Sequence, residues 1–342
     1  MKLSVPKKAI LYFLYFSPLL IVFFSIFIGR LYIPAGTVLR IIISKIFSLT
    51  PENSWPRAYE VIIFEIRLPR IIAAVLGGIA LSVSGASLQA VFRNPLVDTY
   101  ILGVSAGSAF GAALAISLLL LDSFLVQIFA FIFGIIAFGT TYLVAKTQGD
   151  VQVISLILAG IIVSSLFSAC LSIIKFIVEP NHVADIVYWL MGRFSTISWK
   201  EVLQLFPPIL IGSLILFGMR WRLNALSMKD EEAKMLGINV ERERLLVLGA
   251  ATLVSASLIS VCGIIGWIGL IIPHTIRMLF KTADNRKIIP LSAATGASIL
   301  LLADNIARSL LPYEIPVGIL TTLCGAPFFL YLLRKRSKGV WH

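Results

Sequence analysis

Charge is what this chain has least of. Asp, Glu, Lys and Arg make up 13% of its 342 residues, against about a quarter in soluble domains. With 58% hydrophobic residues and a mean hydropathy of +0.96, the apolar surface has to be met by lipid, which excludes a soluble globular fold. Cysteine is scarce as well: Cys170, Cys262 and Cys324 each lie in an apolar run. They offer no disulfide framework and no metal-ligand spacing, so no metal site is expected. Histidine is limited to His182, His274 and His342, and His274 without companions reads as a structural residue rather than a ligand. There is no Gly-Lys dipeptide, hence no phosphate-cradling Walker A loop and no ATPase domain in the chain. The net charge of +12 does not point to nucleic acid, because the basic residues sit in short loops with no basic face interleaved with aromatics.

Long apolar runs fill the remainder. Candidate membrane spans cover roughly residues 9–29, 70–91, 98–120, 124–145, 152–178, 199–219, 244–262, 267–281, 289–310 and 316–333. Gly and Pro interrupt the third and eighth of these. The first run follows Lys2, Lys7 and Lys8 but is too long for a signal-peptide core and lacks a small-x-small cleavage site, so it reads as a span. About ten crossings put both ends on one side. Nineteen of the 29 basic residues then share that side, which favours N-in and C-in. The expectation is one all-α polytopic membrane domain over residues 1–342, multi-pass in the cytoplasmic membrane. Two segments fall outside the spans. Residues 32–66 hold Pro34, Pro51, Trp55 and Pro56, as an interfacial loop with short helices would. Residues 222–244 form the only long charged stretch; Asp230, Glu231 and Glu232 open a short helix there and Gly237 closes it.

Residues 67–107 carry the most specific pattern, an Arg-Leu-Pro-Arg entry, a small-residue helix, an Arg-Asn-Pro-Leu turn and a second Gly/Ser/Ala helix. Further strings follow in order: Tyr188 to Gly192, the Glu231 to Gly237 segment, Gly266-Trp267-Ile268-Gly269-Leu270-Ile271-Ile272-Pro273-His274, Asp284-Asn285-Arg286, Glu314 to Gly318, and Gly325 to Phe329. Together they resemble the FecCD-type permeases, the membrane subunits of ABC importers for iron chelates, heme and cobalamin. Trp267 stands where such relatives have Phe, Asn285 where they have His, and Lys229 where they usually have Gly.

The resemblance implies a bundle like that of the vitamin B12 permease, working as a homodimer in the lipid bilayer with two ABC ATPase subunits and an extracytoplasmic substrate-binding protein. ATP and magnesium would be bound by the partner ATPase, and the permease itself would have no catalytic residue and no cofactor. It also implies an ATPase-coupling set, Leu226, Asp230, Glu231, Glu232, Ala233, Leu236 and Gly237. Arg67, Arg70 and Arg308 would dock the binding protein, since the planar guanidinium fork suits carboxylates; considered alone, Arg308 would pair with Asp304 one turn away. The path would run past Ser105, Ser108, Ser164, Ser165 and Ser168, although small hydroxyl residues also serve plain helix packing. Gly103-Val104-Ser105-Ala106-Gly107 mimics a nucleophile elbow, but without a preceding strand, a histidine and an acid it is no hydrolase site.

Iron(III)-siderophore leads as cargo, with cobalamin, heme and molybdate or tungstate as alternatives. The competing class is an ion-coupled secondary transporter, which usually places ionisable residues at mid-membrane; here the acids fall in loops or near span ends, Asp304 being the least peripheral.

Overall fold

The computed structural model describes residues 5–47, 55–118, 122–147 and 150–336. Pro51, expected in the outer loop, lies outside the described residues. Helix α1 (Val5–Ser25) is followed by α2 (Ala35–Ile46) and α3 (Arg57–Val61). A π-helical stretch, Ile62–Arg67, joins α3 without a break to α4 (Leu68–Val91). A 3-10 turn, Thr99–Leu102, leads into α5 (Val104–Ser117), then α6 (Ser123–Ala145). The two-residue strands β1 (Lys146–Thr147) and β2 (Asp150–Val151) pair antiparallel before α7 (Val153–Ile177). There follow α8 (Pro180–Leu190), α9 (Trp199–Gly218), the short α10 (Arg222–Leu226) and α11 (Asp230–Met235), then α12 (Val240–Cys262), α13 (Ile268–Phe280), α14 (Asn285–Ser309) and α15 (Val317–Arg336).

Among the described residues, each apolar run singled out in the sequence contains a helix. Seven helices are long and apolar enough to cross a membrane, and α5, α13 and the apolar part of α15 are shorter. Two of those short helices are the Gly- and Pro-interrupted third and eighth candidates. At 13 residues, α13 is about 20 Å long, which falls short of a hydrocarbon layer of about 30 Å. It cannot span on its own, and irregular backbone at residues 263–267 precedes it.

Burial sorts the helices into a centre and a rim. In their most apolar windows α4, the continuous segment from Arg57, is 78% buried, α12 72% and α14 67%, against 17% for α7 and 11% for α1. Small residues bring the central helices together. A methyl group added at Gly78 of α4 would sit 2.3 Å from the carbonyl oxygen of Gly296 on α14. One added at Gly85 would sit 2.0 Å from that of Gly269 on α13. Lipid offers no hydrophobic drive between helices, so such backbone-to-backbone approach supplies the association energy. The serines of these helices turn back on their own backbone: Ser82, Ser84 and Ser255 donate to carbonyls four residues earlier, which leaves no hydroxyl unpaired at those positions.

Candidate functional site

At the inner end, the charged stretch folds as the sequence suggested. Asp230 begins α11, Glu232 accepts from the backbone N–H of Lys229, and Gly237 ends the turn at φ +77°. The N–H groups of Gly237 and Ile238 return to the carbonyls of Lys234 and Ala233, the closure that glycine permits after a helix. The residues of this stretch divide between two faces. Leu226 and Ala233 are buried against the bundle, while Met235 is 81% and Leu236 62% exposed, with Glu231 and Gly237 beside them. The helix thus presents two apolar knobs and an acid outward from an anchored base.

Two polar clusters hold that base. Asn224 of α10 donates to Asp284 at 2.9 Å and accepts from the Asn285 N–H at 2.8 Å. Asp284 also binds Arg286, whose guanidinium lies over the Trp221 ring at 4.1 Å. The Arg286 hydrogen bond pulls the Asp284 carboxyl down to about 2. In the second cluster Asp230 binds buried Arg244 of α12 through both oxygens, at 3.0 and 2.8 Å, and pairs with Arg93 at the end of α4. Partial burial pushes the Asp230 carboxyl up, but the bonds and charge of Arg244, then Arg93, outweigh it and hold it below its ordinary value. Charge-run reasoning found Asp230 but neither arginine, because both partners come from other helices.

At the outer end, the three arginines come together, and the structure shows them occupied within the chain. Arg67 is 3% exposed and donates to the carbonyls of Ile26 and Leu31, at 2.7 and 2.6 Å. Arg70 binds Asp304 through Nε and Nη2 at 2.9 Å and Glu314 through Nη1 at 2.8 Å. Arg308 donates to the Ser25 carbonyl at 2.9 Å and to the Asn305 side chain, and stands 3.7 Å from Asp304. The i,i+4 pair expected between Arg308 and Asp304 is present, although the fully buried Asp304 has its closer partner in Arg70. Only Glu314, with a third of its side chain exposed, opens the cluster to the outside.

The five serines expected along the path differ in burial. Ser105 and Ser108 are buried in α5, and a methyl group at Gly134 of α6 would lie 2.5 Å from Ser108 Oγ. Both hydroxyls are buried without a hydrogen-bond partner among the described residues. Ser165 and Ser168 lie on the exposed apolar face of α7, and Ser164 is half-buried beside Gly103. A cavity of about 600 Å³ lies elsewhere, among the turn after α4, the start of α13 and the start of α15. Asp98, Tyr100, Trp267 and Thr322 supply its polar lining and Met191, Leu270 and Leu323 its apolar lining. Asp98 accepts from the Tyr100 N–H at 3.0 Å, and the buried Tyr100 hydroxyl has no partner among the described residues. Non-helical backbone within a membrane is tolerated where it lines a cavity. Sequence reasoning missed Asp98, which stands at the start of its third candidate span; the signal that marks it is its Asx cap on the 3-10 turn. Among the described residues no group of three or more His, Cys, Asp or Glu is arranged to hold a metal.

Comparison with known proteins agrees with this architecture. The model of the FecCD transport family matches residues 18–335. A probable iron chelatin transport system permease protein of Helicobacter pylori is 44% identical over 289 residues, covering 84% of this chain and 87% of that protein. The molybdate import system permease protein MolB of Haemophilus influenzae is 40% identical, with 92% of each chain covered. A solved structure described as an inward-facing metal-chelate type ABC transporter superposes with a TM-score of 0.84 at 38% identity, covering 96% of this chain and 99% of that one. A family match over nearly the whole length, carried by an all-helical membrane bundle with its charged helix at the inner end, places this chain in the FecCD transport family, as an ABC permease integral to the membrane.

Proposed function

We propose that the chain is the permease of an ABC importer for an iron(III)-siderophore, assembled as a homodimer with two ATPase subunits and an extracytoplasmic binding protein. The observation that carries this reading is α11: an exposed Met235–Leu236 edge beside Glu231, on a helix tied to the bundle by Asp230 and preceded by α10, which Asn224 ties to Asp284. Such a surface suits a partner that pushes on the permease. Closure of the ATPase dimer with ATP and magnesium would move both copies of α11 and switch the bundle between outward-open and inward-open states. No covalent chemistry falls to this chain. The exposed faces of α7 and α15, with Ser165 and Ser168 on the former, suit a second copy and the path between copies.

Docking of the binding protein belongs to the same proposal, by exchange. A partner carboxylate would replace Glu314 on Arg70, with Arg67 and Arg308 holding the rim in place. Asp304 lies in a closed ion pair rather than as an open mid-membrane carboxylate, which favours an ATP-driven permease over an ion-coupled carrier.

Iron chelate leads because a relative at 44% identity bears that description; cobalamin, heme and molybdate or tungstate are the alternatives. The test is uptake in a strain lacking the permease, offered labelled ferric siderophore, cobalamin, heme and molybdate in parallel. Restoration of iron uptake alone by the gene is expected. Restoration of molybdate uptake alone would replace the cargo, and uptake abolished by a protonophore at constant ATP would overturn the ABC mechanism.

A further inference from the structure

We propose that Asp230 is a positioning residue that relays movement of α11 to the membrane-embedded cavity, through Arg93 on one side and Arg244 on the other. The inference rests on the ABC reading, which supplies the force on α11.

Asp230 is the one acid of α11 that turns inward, and it joins three elements through one carboxylate: α11 itself, the end of α4 and the start of α12. Arg93 is exposed, but its backbone is held. It adopts φ +52°, its N–H bonds to the Ala90 carbonyl, and the next N–H, of Asn94, reaches back to Gln89. Arg93 therefore closes α4, and a pull on its guanidinium acts on a fixed backbone. The turn beyond it is internally braced: Asn94 Oδ1 accepts from the Leu96 N–H at 2.9 Å, the Val97 N–H donates to the Asn94 carbonyl, and Asp98 caps the following 3-10 turn. Asp98 and Tyr100, at the far end of this short turn, form part of the cavity wall. Displacement at Asp230 thus reaches the wall over seven residues of stiff backbone.

The second arm meets the first. Arg244 lies in the first turns of α12, whose far end at Cys262 feeds directly into Ile264, Gly266 and Trp267 on the same cavity. Where the arms converge, a methyl group at Gly266 would lie 3.4 Å from the Tyr100 hydroxyl. One carboxylate at the inner end therefore controls two walls of one cavity. Coupling of this kind requires an element with two arrangements biased by both ends, and the short helices α5 and α13 are the pieces that can shift between them.

The experiment uses the assembled permease–ATPase complex in liposomes, in a Cys170→Ser, Cys324→Ser background carrying Leu323→Cys on the cavity wall. Thiol-labelling rate with and without ATP reports the wall; ATP hydrolysis and ATPase co-purification report the inner end. Arg93→Gln is expected to retain ATPase binding and hydrolysis within about twofold while the ATP-dependent change in labelling shrinks about tenfold. Arg93→Lys should restore most of it. Asp230→Asn should shrink the ATP-dependent change in labelling as well, whatever it does to ATPase binding, and the double variant should shrink it no more strongly than either single one. If Asp230→Asn does not assemble, the Arg93 pair still decides. An unchanged ATP response in Arg93→Gln, or effects that multiply in the double variant, would overturn the relay. No ATP response in the unsubstituted Arg93/Asp230 protein would instead remove the ABC reading beneath it.

Discussion

Arg70 and Asp304, 234 residues apart in sequence, form a two-contact ion pair in which the acid is fully buried and the arginine side chain is 6% exposed. The pair ties α4 to α14, the two helices whose glycines also meet. Removing one partner strands a charge away from water. Asp304→Asn or Arg70→Met is expected to cost about 3–5 kcal/mol, seen as a lower unfolding midpoint in detergent. The joint replacement Arg70→Met with Asp304→Leu should recover most of it, and a double variant as unstable as the sum of the singles would contradict the pairing.

The glycine contact between the same helices gives an independent prediction. Gly78→Ala puts a methyl group within 2.3 Å of a backbone oxygen, so the helices have to separate. A loss of about 1–3 kcal/mol is expected. Gly36→Ala, where a methyl group would meet nothing within 4 Å, is the matched control and should change stability little.

On α11, exposure separates partner binding from folding. Glu231→Lys and Leu236→Asp should each reduce co-purification of the ATPase about tenfold or more while stability changes by no more than about 0.5 kcal/mol. Ala233→Asp, buried against the bundle, should instead lower stability. Equal behaviour of the two faces would refute the assignment.

The Asp284 network has a definite pH signature. Its carboxyl is held at about 2, below its ordinary 3.8, so its stabilising contribution is complete above about pH 4 and is lost as pH falls through about 2. The difference in unfolding midpoint between the native protein and Asp284→Asn should stay constant from pH 5 to 8 and shrink below pH 4. A difference that vanished near neutrality would place the stabilisation elsewhere.

The sequence was most informative where structure is local. Apolar length marked the long helices, and the acids of α11 with Gly237 marked that helix's start and stop, because caps and dipole preferences act within one turn. It was least informative where a side chain's role depends on a distant neighbour. Ser105 and Ser165 look alike in sequence; α6 covers one and leaves the other bare. Arg70 could not be matched to its partners because Asp304 and Glu314 arrive from the far end of the chain. Asp98 went unnoticed because its place on a cavity wall depends on residues of α13 and α15, which arrive from distant parts of the chain.

The anchoring of α1 has a consequence for synthesis. Its last carbonyls, at Ser25 and Ile26, are bound by Arg308 and Arg67, and the Ser25 hydroxyl by Asn305. At roughly 5–20 residues per second, a ribosome needs about 15–60 s to add the 283 residues from Ser25 to Arg308. Throughout that interval α1 is in the bilayer with its final partner still unmade, so its retention there rests on its own apolar length and on Arg67. Assembly of this permease is therefore closed by its penultimate transmembrane helix, and a nascent chain halted before α14 would hold its first helix by one arginine instead of two.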